Sequence, residues 1–220
     1  MSTTPESVKE LLESEDYGDR LQGLNQLRQL NTADAFELIQ TPVEDRNVRV
    51  RYAAVSQLGS IGEQNREQAF RLLKAALFDP EIDVQAAAAD SIAALKLTDA
   101  YPDLERLYRR TSEWMVQLSI IAGLGELGNA QAFDLLAEAL KSEHALVQTA
   151  AIGSLGELGD PRAVELLMPF MNDPDWQIRH RLAQALSQFN TPEAQSALET
   201  LSQDPMEQVA AHARFLMQST

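Results

Sequence analysis

The sequence predicts an all-α fold: an α-α superhelix of about seven short helical hairpins, treated as one repeat domain over residues 1–220. Three observations predict it. Apolar anchors recur at a nearly constant interval along the whole chain. The spacing around each anchor is helical, and no segment shows the alternation of a strand. The anchors are Val50, Val84, Val116, Val147, Ile178 and Val209, with Asp19 in the same register one unit earlier. The intervals are 31, 34, 32, 31, 31 and 31 residues. A fixed period means stacked units that bury their apolar faces on one another.

Each unit reads as two helices. In the second helix, apolar residues fall at the anchor and four, five, eight and eleven positions later, as in Val147, Ala151, Ile152, Leu155 and Leu158. At 3.6 residues per turn they form one broad stripe. A first helix repeats the pattern in Ala132, Phe133, Leu136, Ala139 and Leu140. Gly125 and Gly128, and Gly156 and Gly159, read as helix stops, and Asp160-Pro161 as the next start. Asp79-Pro80, Asp173-Pro174 and Asp204-Pro205 read as turns between first and second helices. The units expected are 1–31, 32–62, 63–97, 98–128, 129–159, 160–190 and 191–220. The end units must cover open ends, which fits Asp19 at an anchor and Met217 and Thr220 at late apolar positions.

Composition narrows function. With 18 Lys and Arg against 33 Asp and Glu the net charge is −15, which argues against binding nucleic acid or an anionic membrane surface. The absence of Cys excludes a disulfide framework, a thiolate nucleophile and Cys-ligated metal, and three His leave little for a His-rich metal site, so none is expected. No apolar run is long enough to span a membrane, and the polar, acidic start reads as neither a signal nor a transit peptide. No Walker loop, GxSxG elbow or HExxH motif occurs.

Asp45 and Asp173 each precede an Arg, Arg51 and Arg179, by six residues. This resembles the HEAT repeat, in which such residues form a ladder between neighbouring units. The phrases VRYAAVSQLG and SLGELGD are similar to the short HEAT-like subtype named after phycobilisome lyases. The N-terminal stretch MSTTPESVKELLESEDYGDRLQGLNQLRQL, followed by NVRVRYAAVSQL, resembles phycobilisome-degradation proteins of the "non-bleaching B" type, relatives of the two-subunit bilin lyases. That resemblance implies a cytoplasmic protein associated with thylakoid-bound phycobilisomes. Its partners would be phycobiliprotein subunits (phycocyanin, allophycocyanin) and a small degradation adaptor. It also implies lyase-like detachment or transfer of phycocyanobilin as substrate or ligand. The chain has no Cys, so no bilin attaches to it covalently and the reacting thiol belongs to the partner. The alternative is a non-catalytic repeat scaffold for protein–protein interaction, the commoner use of such arrays. HEAT-like deoxyhypusine hydroxylases use His-Glu dipeptides, which are lacking here, and HEAT-like DNA glycosylases need a basic groove.

By analogy with solenoids of this kind, whose second helices line the concave wall, a ligand is expected on the face of the second helices opposite the apolar stripe. That face carries Arg49, Tyr52 and Ser56; then Asp83, Ala86, Ala87 and Asp90; Met115, Leu118, Ala122 and Glu126; Leu146, Thr149, Gly153 and Glu157; and Gln177, His180, Arg181 and Gln184. Its middle is small or apolar, and an Arg beside an aromatic or imidazole stands on either side. Arg49 and Arg181 suit a propionate or a partner carboxylate. His180, Tyr52 and Asp90 are the candidates for proton transfer. Trp114 and Trp176, each two residues before an anchor, are candidates for the groove rim. Arg51 and Arg179 are assigned to the ladder, His144 and His212 to packing, and Arg106, Arg109 and Arg110 to a solvated outer face.

Overall fold

The computed structural model describes residues 3–218. Among them are fourteen α-helices and no strand. They form seven consecutive hairpins: α1 (Pro5–Leu12) with α2 (Tyr17–Gln26), α3 (Thr32–Ile39) with α4 (Val48–Ile61), α5 (Arg66–Ala76) with α6 (Ile82–Ala94), α7 (Tyr101–Arg110) with α8 (Trp114–Leu127), α9 (Phe133–Ala139) with α10 (Ala145–Leu158), α11 (Ala163–Leu167) with α12 (Trp176–Leu186), and α13 (Pro192–Leu201) with α14 (Glu207–Gln218). The chain divides into two compact units, residues up to Ile120 and residues from Ile121. No helix of the described residues is long and apolar enough to cross a membrane.

The periodic anchors make the core of both units. Val50, Val84 and Val116 in the first, and Val147 and Val209 in the second, are fully buried, with Ile178 nearly so. The first helices bury Leu73, Leu104, Leu136 and Leu198 against them. Asp19, the charged residue in an anchor register, faces solvent and accepts a hydrogen bond from Ser14 Oγ at 2.8 Å. Met217 is exposed, and Thr220 lies outside the described residues.

The expected ladder is present, with a geometry the spacing did not specify. Arg51 Nη1 donates to the backbone carbonyl of Asp45, six residues earlier, at 3.0 Å. Its carboxylate partner is instead Asp79 of the next turn, held by Nε at 2.7 Å and Nη2 at 2.9 Å. Arg179 repeats the arrangement with the Asp173 carbonyl and the Asp204 carboxylate. So does Arg20, a rung missed in the sequence, with the Ser14 carbonyl and Asp45. Each acceptor carboxylate also takes the N–H two residues on: Asn47 for Asp45, Glu81 for Asp79 and Met206 for Asp204. One side chain thus shapes the turn and clasps the preceding hairpin. At the Arg position α6, α8 and α10 carry Gln85, Gln117 and Gln148, which keep a bond to a carbonyl of the preceding turn or helix end.

The glycines need a correction. Gly125 and Gly156 do not stop helices; both lie inside them. A Cβ on Gly125 would sit 2.7 Å from Ser154 Cα, and one on Gly156 2.6 Å from Ala185 Cα. They are bare because the next second helix crosses there, and Ser154 Oγ donates to the Ile121 carbonyl at 2.8 Å in the same contact. Ser91 bonds the Val55 carbonyl in the same way beside Gly59. Gly128 and Gly159 are the terminators, at φ +67° and +70°, a region side-chain-bearing residues avoid.

Candidate functional site

In the first unit the predicted residues converge at one place. Asn47 caps α4 by accepting the Arg49 N–H at 2.9 Å, which sets the register of the first turn. Val48, Arg49 and Tyr52 on α4, with Asp83 on α6, then line an open cleft of about 410 Å³. The Arg49 side chain is exposed and forms no ion pair or hydrogen bond with another described residue. Tyr52 is 48% exposed, and Asp83 is exposed and unpaired among the described residues. An aromatic face, a guanidinium fork, a phenol and a carboxylate therefore share one surface. The set is complementary to a flat ligand bearing both a carboxylate and N–H donors. Asp90 lies seven residues beyond Asp83 on α6 and is exposed. Met115 is exposed and Leu118 half-buried in the first turns of α8, where Trp114 is also exposed. Ala87, expected on the open face, is buried: three residues past Val84, it lies only about 60° round the helix from that buried anchor.

In the second unit Ala122 and Thr149 are half-buried, Gln177 is exposed, and Leu146 is 51% exposed. Thr149 spends its hydroxyl on the Ala145 carbonyl at 2.7 Å, so it offers a methyl rather than a free donor. Gly153, also expected to be open, is buried, because the Arg181 guanidinium lies across it where a Cβ would otherwise stand. Arg181 is held in that position by Gln184 at 3.0 Å and Glu157 at 3.5 Å. It is thus a partly committed cation, unlike Arg49.

His180 is half-buried and stacks on His212 of α14, with ring centroids 4.1 Å apart and planes 14° from parallel. Trp176 meets His180 edge-on at 6.4 Å, so it packs within the unit rather than standing free at a rim. Burial, and secondarily the charge of His180, hold His212 below the usual imidazole range, and its Nε2 is buried without a hydrogen-bond partner. From sequence His212 has no role beyond packing, whereas the structure pairs it with a site candidate. The available signal was its register, three residues past the anchor, the position Arg181 holds one unit earlier. No group of three or more His, Asp or Glu among the described residues is placed to hold a metal ion.

The fold and site can be set beside known proteins. HEAT repeats match residues 70–154 and 134–217, and a PBS lyase HEAT-like repeat matches residues 50–79. No curated protein sequence gives a significant match. Among solved structures, a chain from the complex of CpcE and CpcF of phycocyanin lyase from Nostoc sp. PCC7120 superposes with a TM-score of 0.65 at 23% identity, covering 100% of this chain and 95% of that one. YibA of Escherichia coli superposes at 0.72 with 16% identity, covering 98% and 81%. An archaeal HEAT-like repeats protein from Thermococcus onnurineus superposes at 0.63 with 13% identity, covering 99% and 97%. These likenesses establish the fold. With the repeats matched from residue 70 to residue 217, more than half its length, the chain belongs to the HEAT-repeat family.

Proposed function

We propose that this protein binds phycobiliproteins and handles their bilin in a lyase-like manner, detaching or transferring phycocyanobilin as the antenna is dismantled. The observation that carries this reading is a coincidence of place. The lyase-type repeat at residues 50–79 begins on α4, the helix that supplies Arg49 and Tyr52 to the cleft. The likeness to a phycocyanin lyase chain over the whole length supports the same reading. Phycocyanobilin carries propionates that suit Arg49, pyrrole N–H groups that suit Asp83, and a flat conjugated system that suits the Tyr52 ring.

Detachment is an elimination and needs no oxidant. A base takes the proton on the ring carbon next to the thioether-bearing carbon, the C–S bond breaks, an ethylidene double bond forms, and the partner's thiolate is reprotonated. Attachment is the reverse. Tyr52 and Asp90 in the first unit are candidate proton carriers, His180 in the second is the alternative candidate, and the thiol is the partner's throughout. The finer assignment to the "non-bleaching B" type, with a small degradation adaptor and a cytoplasmic place beside thylakoid-bound phycobilisomes, belongs to this proposal.

A second reading has its own observation. Leu146 and Met115 expose large apolar side chains on second helices, as a polypeptide-binding scaffold would. Mixing the protein with phycocyanin and following the visible spectrum separates the two. Loss of the bound-bilin band with free bilin appearing supports lyase-like handling. Co-elution with an unchanged spectrum supports the scaffold, and neither event refutes both.

A further inference from the structure

We propose that the outer face of α5 and α7, apart from the cleft, is a docking surface for an acidic polypeptide segment. The argument begins with charge. In a chain of net charge −15, these two helices carry six cations against three carboxylates. The first helix of every other hairpin is net acidic.

Packing gathers the cations. Lys74 on α5 and Arg106 on α7 share the Asp103 carboxylate, at 2.7 Å and 3.1 Å, and Asp103 itself is buried. One of the three countercharges is therefore sunk beneath the cations instead of displayed beside them. Arg106 lies over the exposed Phe78 ring at 4.4 Å, which holds the cation at the surface beside an apolar face. Arg109 and Arg110 follow three and four residues later on the same helical face. Arg110 is exposed and has no ion-pair partner among the described residues. Arg71 extends the strip on α5.

The countercharges define the ligand. Arg71 now rests on Glu67 of its own helix, at 3.6 Å and between largely solvated groups, and Arg109 on the half-buried Glu105 at 3.1 Å. Such pairs contribute little, so an incoming carboxylate can replace them at small cost. A Glu- or Asp-rich segment supplies the same groups in the same geometry, with apolar carbon for Phe78. A nucleic acid, with its much denser charge, would also meet the acidic remainder of the chain.

The test is fluorescence anisotropy with a fluorescein-labelled octa-glutamate peptide and the full chain. Binding is expected at low salt, weakened about tenfold or more between 20 and 200 mM NaCl, since screening acts on exposed charges. Arg71→Glu with Arg110→Glu should weaken it by a similar factor, because rim charges govern such encounters. Arg71 touches only the exposed Glu67 and Arg110 is itself exposed, so folding is checked by circular dichroism and expected to persist. Arg106→Gln is the milder second variant. Arg28→Glu, an exposed charge elsewhere, should leave binding unchanged. Absence of binding, equal binding by the double variant, or tighter capture of a labelled single-stranded oligonucleotide by the same residues would overturn the proposal.

Discussion

Replacing Arg51 by alanine tests the ladder where it is best defined. The change removes two charge-assisted bonds to Asp79, at 2.7 and 2.9 Å, and one to the Asp45 carbonyl at 3.0 Å. The side chains of Arg51 and Asp79 are only 14% and 10% exposed. The guanidinium is held above its ordinary range, first by its bond to Asp79, which outweighs desolvation. Removing one partner of a buried pair costs about 3–5 kcal/mol, because the other charge is stranded. Asp79 keeps its bond from the Glu81 N–H and a little solvent, so the lower end, about 3 kcal/mol, is expected here. For a chain of this size that lowers Tm by roughly 6–12 °C. The assay is thermal and urea unfolding, by circular dichroism, of Arg51→Ala, Asp79→Ala and the double variant. The double variant should lose less than the sum of the singles, since each single leaves an orphan. Arg46→Ala, which breaks an exposed pair with Glu15, should cost no more than about 1 kcal/mol. An Arg51→Ala loss no larger than that of Arg46→Ala would refute the argument.

Further predictions follow from the glycines and the titrating groups. Gly156→Ala should cost about 1–3 kcal/mol through overpacking against the Ala185 backbone, and adding Ala185→Gly should recover part of it. Gly159→Ala should cost about 1 kcal/mol through its positive φ alone, with no rescue by Ala185→Gly. Because the folded state holds His212 below its unfolded pKa, its contribution is complete above about pH 6.5 and declines as pH falls below that value. His212→Phe should flatten that part of the stability–pH curve. The Asp204 carboxyl is lowered chiefly by its bond from Arg179, so its contribution is complete above about pH 4 and is lost on further acidification. Urea midpoints measured from pH 8 to pH 3 should resolve both steps.

The hairpins and their buried anchors were legible because burial of an apolar stripe leaves a periodic trace, and Val50 through Val209 sit where that trace puts them. What depends on contacts between repeats was less legible. Gly125 and Gly156 resemble helix stops in one dimension, and only the crossing of the next helix shows why they lack side chains. Arg20 has no acidic residue six positions before it, so the spacing rule passed over it; its rung needs only the Ser14 carbonyl and the Asp45 carboxylate. The helical wheel placed Arg49, Tyr52 and Asp83 together, since each lies on a regular helix whose anchor fixes its rotation. It could not show that Arg181 would fold back over Gly153 toward Glu157, because a long side chain chooses among partners that spacing does not reveal. For that reason Arg181→Ala is expected to perturb packing in its unit, whereas Arg49→Ala is not.

On the proposed function, the open side of α4 receives a phycobiliprotein and its bilin. The most direct measurement is equilibrium binding of phycocyanin to the wild-type protein and to Arg49→Ala, with Tm recorded for both. Affinity should fall about tenfold or more, as for an Arg central to an interface, at an unchanged Tm. Equal affinity for the two proteins, or no affinity in either, would contradict it.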